Sequence, residues 1–184
     1  MYTAPGAANE YVIVASNFNV IRIIDGVTGG LVNSRTLDPP FISSDSQCAD
    51  IPNSVGVTGT PIIDPATQIM YFFSKGYINS QVGPQGAING QYKMYAVNLP
   101  SLTDVPGFPV TLNGHNALND PSRYFVSGVV VQRTGLSMVG DSIIAGFSGH
   151  CDNFNYTGML VTVSKTTGKG VTSVYAMMAS PGKI

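Results

Sequence analysis

Apolar residues in this chain fall in short runs rich in β-branched and aromatic side chains, each closed by Gly, Asp, Asn, Ser or Pro. Runs bounded by turn residues in this way are what β-strands require. Three stretches share one plan: an apolar strand, a variable loop, a second strand ending on a polar residue, and a tight turn. The first has Tyr11-Val12-Ile13-Val14-Ala15-Ser16, then Val20-Ile21-Arg22-Ile23-Ile24-Asp25, then Gly26–Gly30 turning into Leu31-Val32. The second has Ile69-Met70-Tyr71-Phe72-Phe73-Ser74, then Tyr92-Lys93-Met94-Tyr95-Ala96-Val97-Asn98, with Leu99-Pro100-Ser101-Leu102 at the turn. The third has Ser142-Ile143-Ile144-Ala145-Gly146-Phe147, then Gly158-Met159-Leu160-Val161-Thr162-Val163-Ser164, with Lys165–Lys169 at the turn. Glycine in such turns supplies the positive φ that a hairpin demands.

A further strand precedes each trio. It is Gly59–Ile63 before Asp64–Thr67 in the second unit and Thr134–Val139 before Gly140-Asp141 in the third. In the first unit only Tyr2-Thr3-Ala4-Pro5 remains of it. Equivalent strand starts (Val12, Met70, Ile143) lie 58 and 73 residues apart, and the excess over an ordinary repeat is assigned to loops at Ser74–Gln91 and Gly114–Tyr124. The expected fold is therefore all-β, with antiparallel four-stranded units over residues 2–40, 56–112 and 126–180. These would be about three blades of a β-propeller, a partial propeller counted as one domain. A single antiparallel sandwich of about ten to twelve short strands is the competing architecture.

Composition sharpens this picture in a few places. Charged residues are only 10% and Glu10 is the lone glutamate, which leaves little to cover helices, while 21 Gly and 12 Pro favour turns. A net charge of −1 without a basic cluster argues against a nucleic-acid partner. No apolar run approaches the ~18–20 residues of a membrane helix. Met1–Ala8 lacks the charged start and apolar core of a signal peptide, so either a leader has been removed or the chain is an internal piece of something longer; the second is the expectation. Low charge, abundant Gly, Asn, Thr and Ser, and the glycosylation sequon at Asn155 beside Cys151 lean together toward a secreted protein.

The pattern of an apolar strand, then Ile-Arg-Ile-Ile-Asp, then Thr-Gly-Gly resembles the blade signature of quinoprotein-like (PQQ-like) β-propeller repeat proteins. The stretches GVTGTPIIDPATQIMYFFSK (Gly56–Lys75) and GHCDNFNYTG (Gly149–Gly158) look like secreted fungal members of that family, and the resemblance runs from about Tyr2 to Met178. It implies a propeller scaffold. Quinoprotein dehydrogenases of the superfamily stack the quinone on a tryptophan and hold Ca²⁺ beside it within eight blades. This chain has no tryptophan and provides about three blades, so PQQ is not expected as a cofactor.

Gly149–Tyr156 is the densest polar loop. His150, Asp152, Asn153 and Tyr156 are its candidate ligand-binding residues, suited to a sugar or to an oxygen-preferring ion such as Ca²⁺. The competing reading is a disulfide-pinned structural loop whose Asp and Asn side chains bond the backbone. A Cys48–Cys151 disulfide is expected if neighbouring units bring these loops to one face, with two free buried thiols as the alternative. Zinc is not expected, because two cysteines 103 positions apart with one histidine lack close ligand spacing. His115 reads as a surface histidine, and Asp45, Asp50 and Asp120 as turn residues without EF-hand spacing. Ser148 lies between glycines but not in a nucleophile elbow, and Gly168-Lys169 is not a phosphate loop.

The expected function is a secreted binding or scaffold module whose blade-face loops contact a carbohydrate, a small molecule or a partner protein. No catalytic residue is assigned to this chain. The alternative is part of a quinoprotein-like oxidoreductase whose active centre needs further blades. Open sheet faces at both ends imply self-association or a partner chain that completes the propeller.

Overall fold

Runs of β-branched and aromatic residues punctuated by turn formers leave the backbone one economical way to pair its amides, the antiparallel meander. The structure, a computed structural model, describes residues 1–3, 6, 8–154 and 156–177. Among these residues there is antiparallel sheet, three short 3-10 turns and no α-helix. The first sheet runs β1 (Tyr11–Ala15), β2 (Val20–Asp25), β3 (Leu31–Thr36), and Tyr2 bridges Tyr11 on its near side. A two-residue ribbon follows, β4 (Phe41–Ile42) against β5 (Ser54–Val55). The second sheet runs β6 (Ile62–Asp64), β7 (Ile69–Tyr77), β8 (Gly90–Asn98), β9 (Val110–Leu112). The third consists of β10 (Val130–Val131), β11 (Ser137–Val139), β12 (Ser142–Gly149), β13 (Met159–Ser164) and β14 (Val171–Ala176), with β10 and β11 both pairing β12 at different points.

The polar residue that ends each second strand binds the turn after it. Asp25 Oδ1 accepts from the amides of Val27 (2.9 Å) and Thr28 (2.7 Å), Asn98 Nδ2 donates to the Thr103 carbonyl (3.2 Å), and Ser164 Oγ accepts from the Thr166 amide (2.9 Å). Gly29 and Gly168 take the positive φ expected of the two glycine turns (70° and 83°). Several expected boundaries move: the strand expected at Gly59–Ile63 is Ile62–Asp64, that at Thr134–Val139 is Ser137–Val139, and β12 runs on past Phe147 to Gly149. The stretch Ser74–Gln91 is not loop throughout, because β7 continues to Tyr77 and β8 begins at Gly90, pairing Ser74 with Lys93 and Tyr77 with Gly90. Lys75 and Gly76 interrupt the apolar run, yet their backbone stays in the ladder.

The second sheet is buried on both faces, as a continuous apolar run such as β7 requires. Met70, Phe72, Tyr95 and Val97 pack with Ile21 and Ile23 of the first sheet. Tyr71, Phe73, Tyr92, Met94 and Ala96 pack with Ile143, Phe147, Val161 and Val174 of the third. Phe147 sits at the centre of this larger core, edge-on to Phe73, Tyr92 and Phe125 with centroids 5.4, 5.2 and 4.8 Å away. Charged ties cross the same seams: Arg35 grips both carboxylate oxygens of Asp104 (2.7 and 2.8 Å), and Lys165 reaches Asp64 (3.0 Å). The segment after β9 covers the edge of β14, where Asn119 exchanges two hydrogen bonds with Ala176 and the Leu118 amide donates to the Val174 carbonyl. Covering an edge strand in this way removes a template for unwanted pairing.

Candidate functional site

The loop expected to carry function begins where β12 ends, and its first residue turns inward. His150 is fully buried, and its Nε2 lies 3.0 Å from Lys75 Nζ. Lys75 is the one charged residue in β7 and is also fully buried. Its amine donates to the carbonyls of Gly128 (3.1 Å) and Val130 (2.9 Å), while the rings of Phe41 and Tyr92 lie over it at 4.1 and 5.5 Å. The three hydrogen-bond contacts and two aromatic faces compensate the removal of the amine from water. Burial nevertheless holds the Lys75 amine well below its ordinary pKa, opposed by the Asp50 charge. Burial, and then the Lys75 charge, bring the His150 imidazole down to about 4, with Asp50 acting against them.

The other side of the imidazole faces the loop that follows β4. His150 Nδ1 stands 3.6 Å from Asp50 Oδ1, too long for a hydrogen bond, and has no partner among the described residues. Phe41 stacks on the ring at 6.5 Å. Cys48 and Cys151 are joined in a disulfide with Cα atoms 5.7 Å apart, so the expected bridge is present. Ser43 and Ser46 shape the Cys48 side, bonding the carbonyls of Ile51 and Ser43 at 2.5 and 2.6 Å.

Beyond the disulfide the chain coils tightly, with Cys151, Asp152 and Phe154 at φ values of 47°, 55° and 65° that non-glycine residues adopt rarely. Asp152 and Tyr156 come together, the phenol donating to Oδ1 at 2.8 Å. Asn153 Nδ2 donates to the Gln47 carbonyl (2.8 Å), tying the loop to the Cys48 segment. The Tyr156 ring lies so close over Gly149 that a β-carbon there would collide with it. Asn155, the expected glycosylation site, lies outside the described residues. The candidates therefore separate: Asp152, Asn153 and Tyr156 stay at the surface side of the loop, while His150 belongs to the interior cluster.

A cleft of about 190 Å³ opens beside this loop, between it and the segment before β10. Phe154 and Tyr156 line one wall, Arg123 and Tyr124 the other, with Val129 and Met159 between them. Asp120 holds the far wall: its carboxylate accepts from the Ser122 amide (3.1 Å) and hydroxyl (2.6 Å) and lies 3.9 Å from the Arg123 guanidinium. Asp45 is likewise a loop anchor, accepting from Tyr77 Oη (2.5 Å) and the amides of Gln85 (2.7 Å) and Gly86 (2.8 Å). His115 is half-buried rather than a surface residue, with Nδ1 unpartnered among the described residues.

Sequence reasoning passed over Lys75, Asp50, Arg123 and Tyr124 as members of a site. A lone lysine inside Ile69–Tyr77 was a usable signal, since a charge in a doubly buried strand needs partners. The cleft residues carried none, because Ser122–Tyr124 lie in loop with no periodicity. No protein-family description matches the chain, and no curated protein matches it. No helix among the described residues is long and apolar enough to cross a membrane.

Proposed function

We propose that this chain is a segment of a secreted, quinoprotein-like β-propeller that acts as a binding module, with the Arg123–Tyr156 cleft as its carbohydrate site. The observation that carries the reading is the pairing of aromatic walls (Tyr124, Phe154, Tyr156) with polar groups (Ser122, Arg123) in one open cleft. Aromatic faces cover the C–H surface of a sugar while hydroxyl and guanidinium groups bond its rim. The disulfide and the Asn153 tie hold one wall in place before any ligand arrives, which lowers the entropy cost of binding.

The propeller reading is supported by three successive meanders, each with a polar residue at the end of its second strand bonded to the turn that follows, stacked so that the central one is covered on both faces. The disulfide supports an oxidising compartment. The same reading calls for partner sheets, from a second copy or another chain, against the outer faces of the first and third sheets.

Isothermal titration with a panel of neutral oligosaccharides tests the cleft. One member is expected to bind, and Tyr124→Ala and Tyr156→Ala are each expected to weaken it by about tenfold or more, on the order of 1–3 kcal/mol. Binding that survives both substitutions, or a panel without a binder, overturns the carbohydrate site.

A further inference from the structure

We propose that the Cys48–Cys151 disulfide masks a four-donor metal site, and that its reduction releases a tetrahedral centre for Zn²⁺ built from both sulfurs, His150 Nδ1 and Asp50. The sequence spacing argued against zinc, but the fold brings together what the spacing keeps apart. Cys48 Sγ, an Asp50 carboxylate oxygen and a His150 ring nitrogen lie within 4.8 Å of one another, Nδ1 is the ring atom 3.6 Å from Asp50 Oδ1, and Cys151 Sγ is bonded to Cys48 Sγ. Thiolate, imidazole and carboxylate are the donor types zinc takes in four-coordinate sites.

The imidazole supplies the second, independent observation. His150 has no exposed surface, yet Nδ1 has no hydrogen-bond partner among the described residues. Buried polar atoms are nearly always satisfied, so an unpartnered ring nitrogen 3.6 Å from a carboxylate oxygen, beside the disulfide, points to a cation as its partner. The ring cannot swing away freely. Lys75 contacts Nε2 at 3.0 Å and Phe41 stacks on the face, so Nδ1 stays directed into the cluster. With two of its hydrogens given to the Gly128 and Val130 carbonyls, the Lys75 amine in its neutral form has its lone pair for the Nε2–H, and that tautomer leaves the Nδ1 lone pair for the metal.

The geometry is close to what the ion needs. Zinc bonds of roughly 2.0 Å to nitrogen and oxygen give a tetrahedral edge of about 3.3 Å, and bonds of roughly 2.3 Å to sulfur give one of about 3.8 Å. The Nδ1–Oδ1 separation is already 3.6 Å. The other donor atoms lie within 4.8 Å and have to draw in, while the bonded sulfurs have to part, which a Cα separation of 5.7 Å permits by side-chain rotation. A dithiol reductant supplies two electrons and two protons to the disulfide and is itself oxidised to a disulfide. Metal binding then displaces both thiol protons to solvent. Disulfide and metal are thus alternative occupants of the same two sulfurs, a conclusion independent of the carbohydrate cleft.

The test uses the full chain and Co²⁺ as a spectroscopic probe. After anaerobic reduction with dithiothreitol and its removal, one equivalent of Co²⁺ is expected to give intense tetrahedral visible bands and thiolate charge-transfer absorption, both abolished by one equivalent of Zn²⁺. The oxidised chain is expected to give neither. His150→Ala and Asp50→Asn, checked for folding in the oxidised form by circular dichroism, are each expected to weaken binding by about 100-fold, the upper end of what loss of an outer-shell partner does. If the reduced chain loses its β-type spectrum, Zn²⁺ is expected to restore it. Reduced protein that neither gives the bands nor recovers its fold with metal overturns the proposal. So do bands that His150→Ala leaves unchanged, since two thiolates alone would then be the site.

Discussion

Lys75 shows how much one side chain decides here. It stands where alternation in β7 would place another core residue, and the fold answers with two carbonyls, an imidazole and two rings. Lys75→Met keeps the volume but leaves the Gly128 and Val130 carbonyls without a donor, so a loss of about 2–5 kcal/mol is expected in urea unfolding. The neighbouring imidazole sets a pH dependence. Its folded pKa of about 4 lies below the unfolded value near 6.5, so between these values the unfolded chain binds the additional proton. Stability should be unaffected by this group above pH ~6.5 and fall by on the order of 3 kcal/mol as the pH drops to about 4. The lowered pKa of Lys75 acts in the same direction. Comparing urea midpoints at neutral and acid pH with His150→Gln checks this, since that variant should flatten the decline. The sequence made His150 conspicuous through its polar loop, but residue type and spacing do not reveal that the ring faces inward. That follows from where β12 stops, and from a lysine 75 positions upstream.

At the scale of elements, legibility tracked burial. Strands with long apolar runs, such as Ile69–Ser74 and Met159–Ser164, were evident because β-branched and aromatic clustering is strong where a sheet is covered. Short pieces were not: the Phe41–Ile42 and Ser54–Val55 ribbon offers two residues a side, too few for any period. Nor was the strand extension past Ser74, where a lysine and a glycine imitate a loop. The hairpin of β7 and β8 is the mechanical centre, and the ring cluster on Phe147 joins it to the third sheet. Phe147→Ala leaves three edge contacts facing a void and is expected to cost about 3–5 kcal/mol in the same unfolding assay. Tyr175→Ala, on the exposed side of β14, should cost far less.

For the molecule as a whole, the first and third sheets carry exposed apolar side chains on their outer faces. Val14 on the outer side of the first sheet and Phe18 in the turn beside it are exposed, as is Leu31 at the other end of that sheet. On the outer side of the third, Gly146 leaves an apolar hollow of about 240 Å³ bordered by Leu160 and Met177. On the propeller reading these are the two ends of one stack, and contiguous apolar patches of this kind are seldom left open in a stable monomer. Sedimentation velocity at micromolar concentration is expected to show self-association that weakens on Phe18→Asp and Leu160→Asp substitution. A compact monomer would count against it. The antiparallel meanders were legible because strand runs and turn residues alternate along the chain, whereas the direction in which the sheets stack depends on side-chain contacts between distant strands.

The disulfide also decides how a load would travel through the chain. Tension applied at the two ends enters at Cys48 and leaves at Cys151, so the span between them, 103 positions apart in sequence and holding β5 to β12, cannot be drawn out while the bond is intact. Among the described elements, the first sheet, β4 with the 3-10 turn that follows it, and the β13–β14 hairpin lie on the stretched path. Pulled in an oxidising medium, the molecule should lengthen in a short step and stop. With reductant present it should yield a further extension of about 350 Å as the shielded span pays out. A covalent tie that looks like a local clamp on one loop thus shields most of the fold from extension.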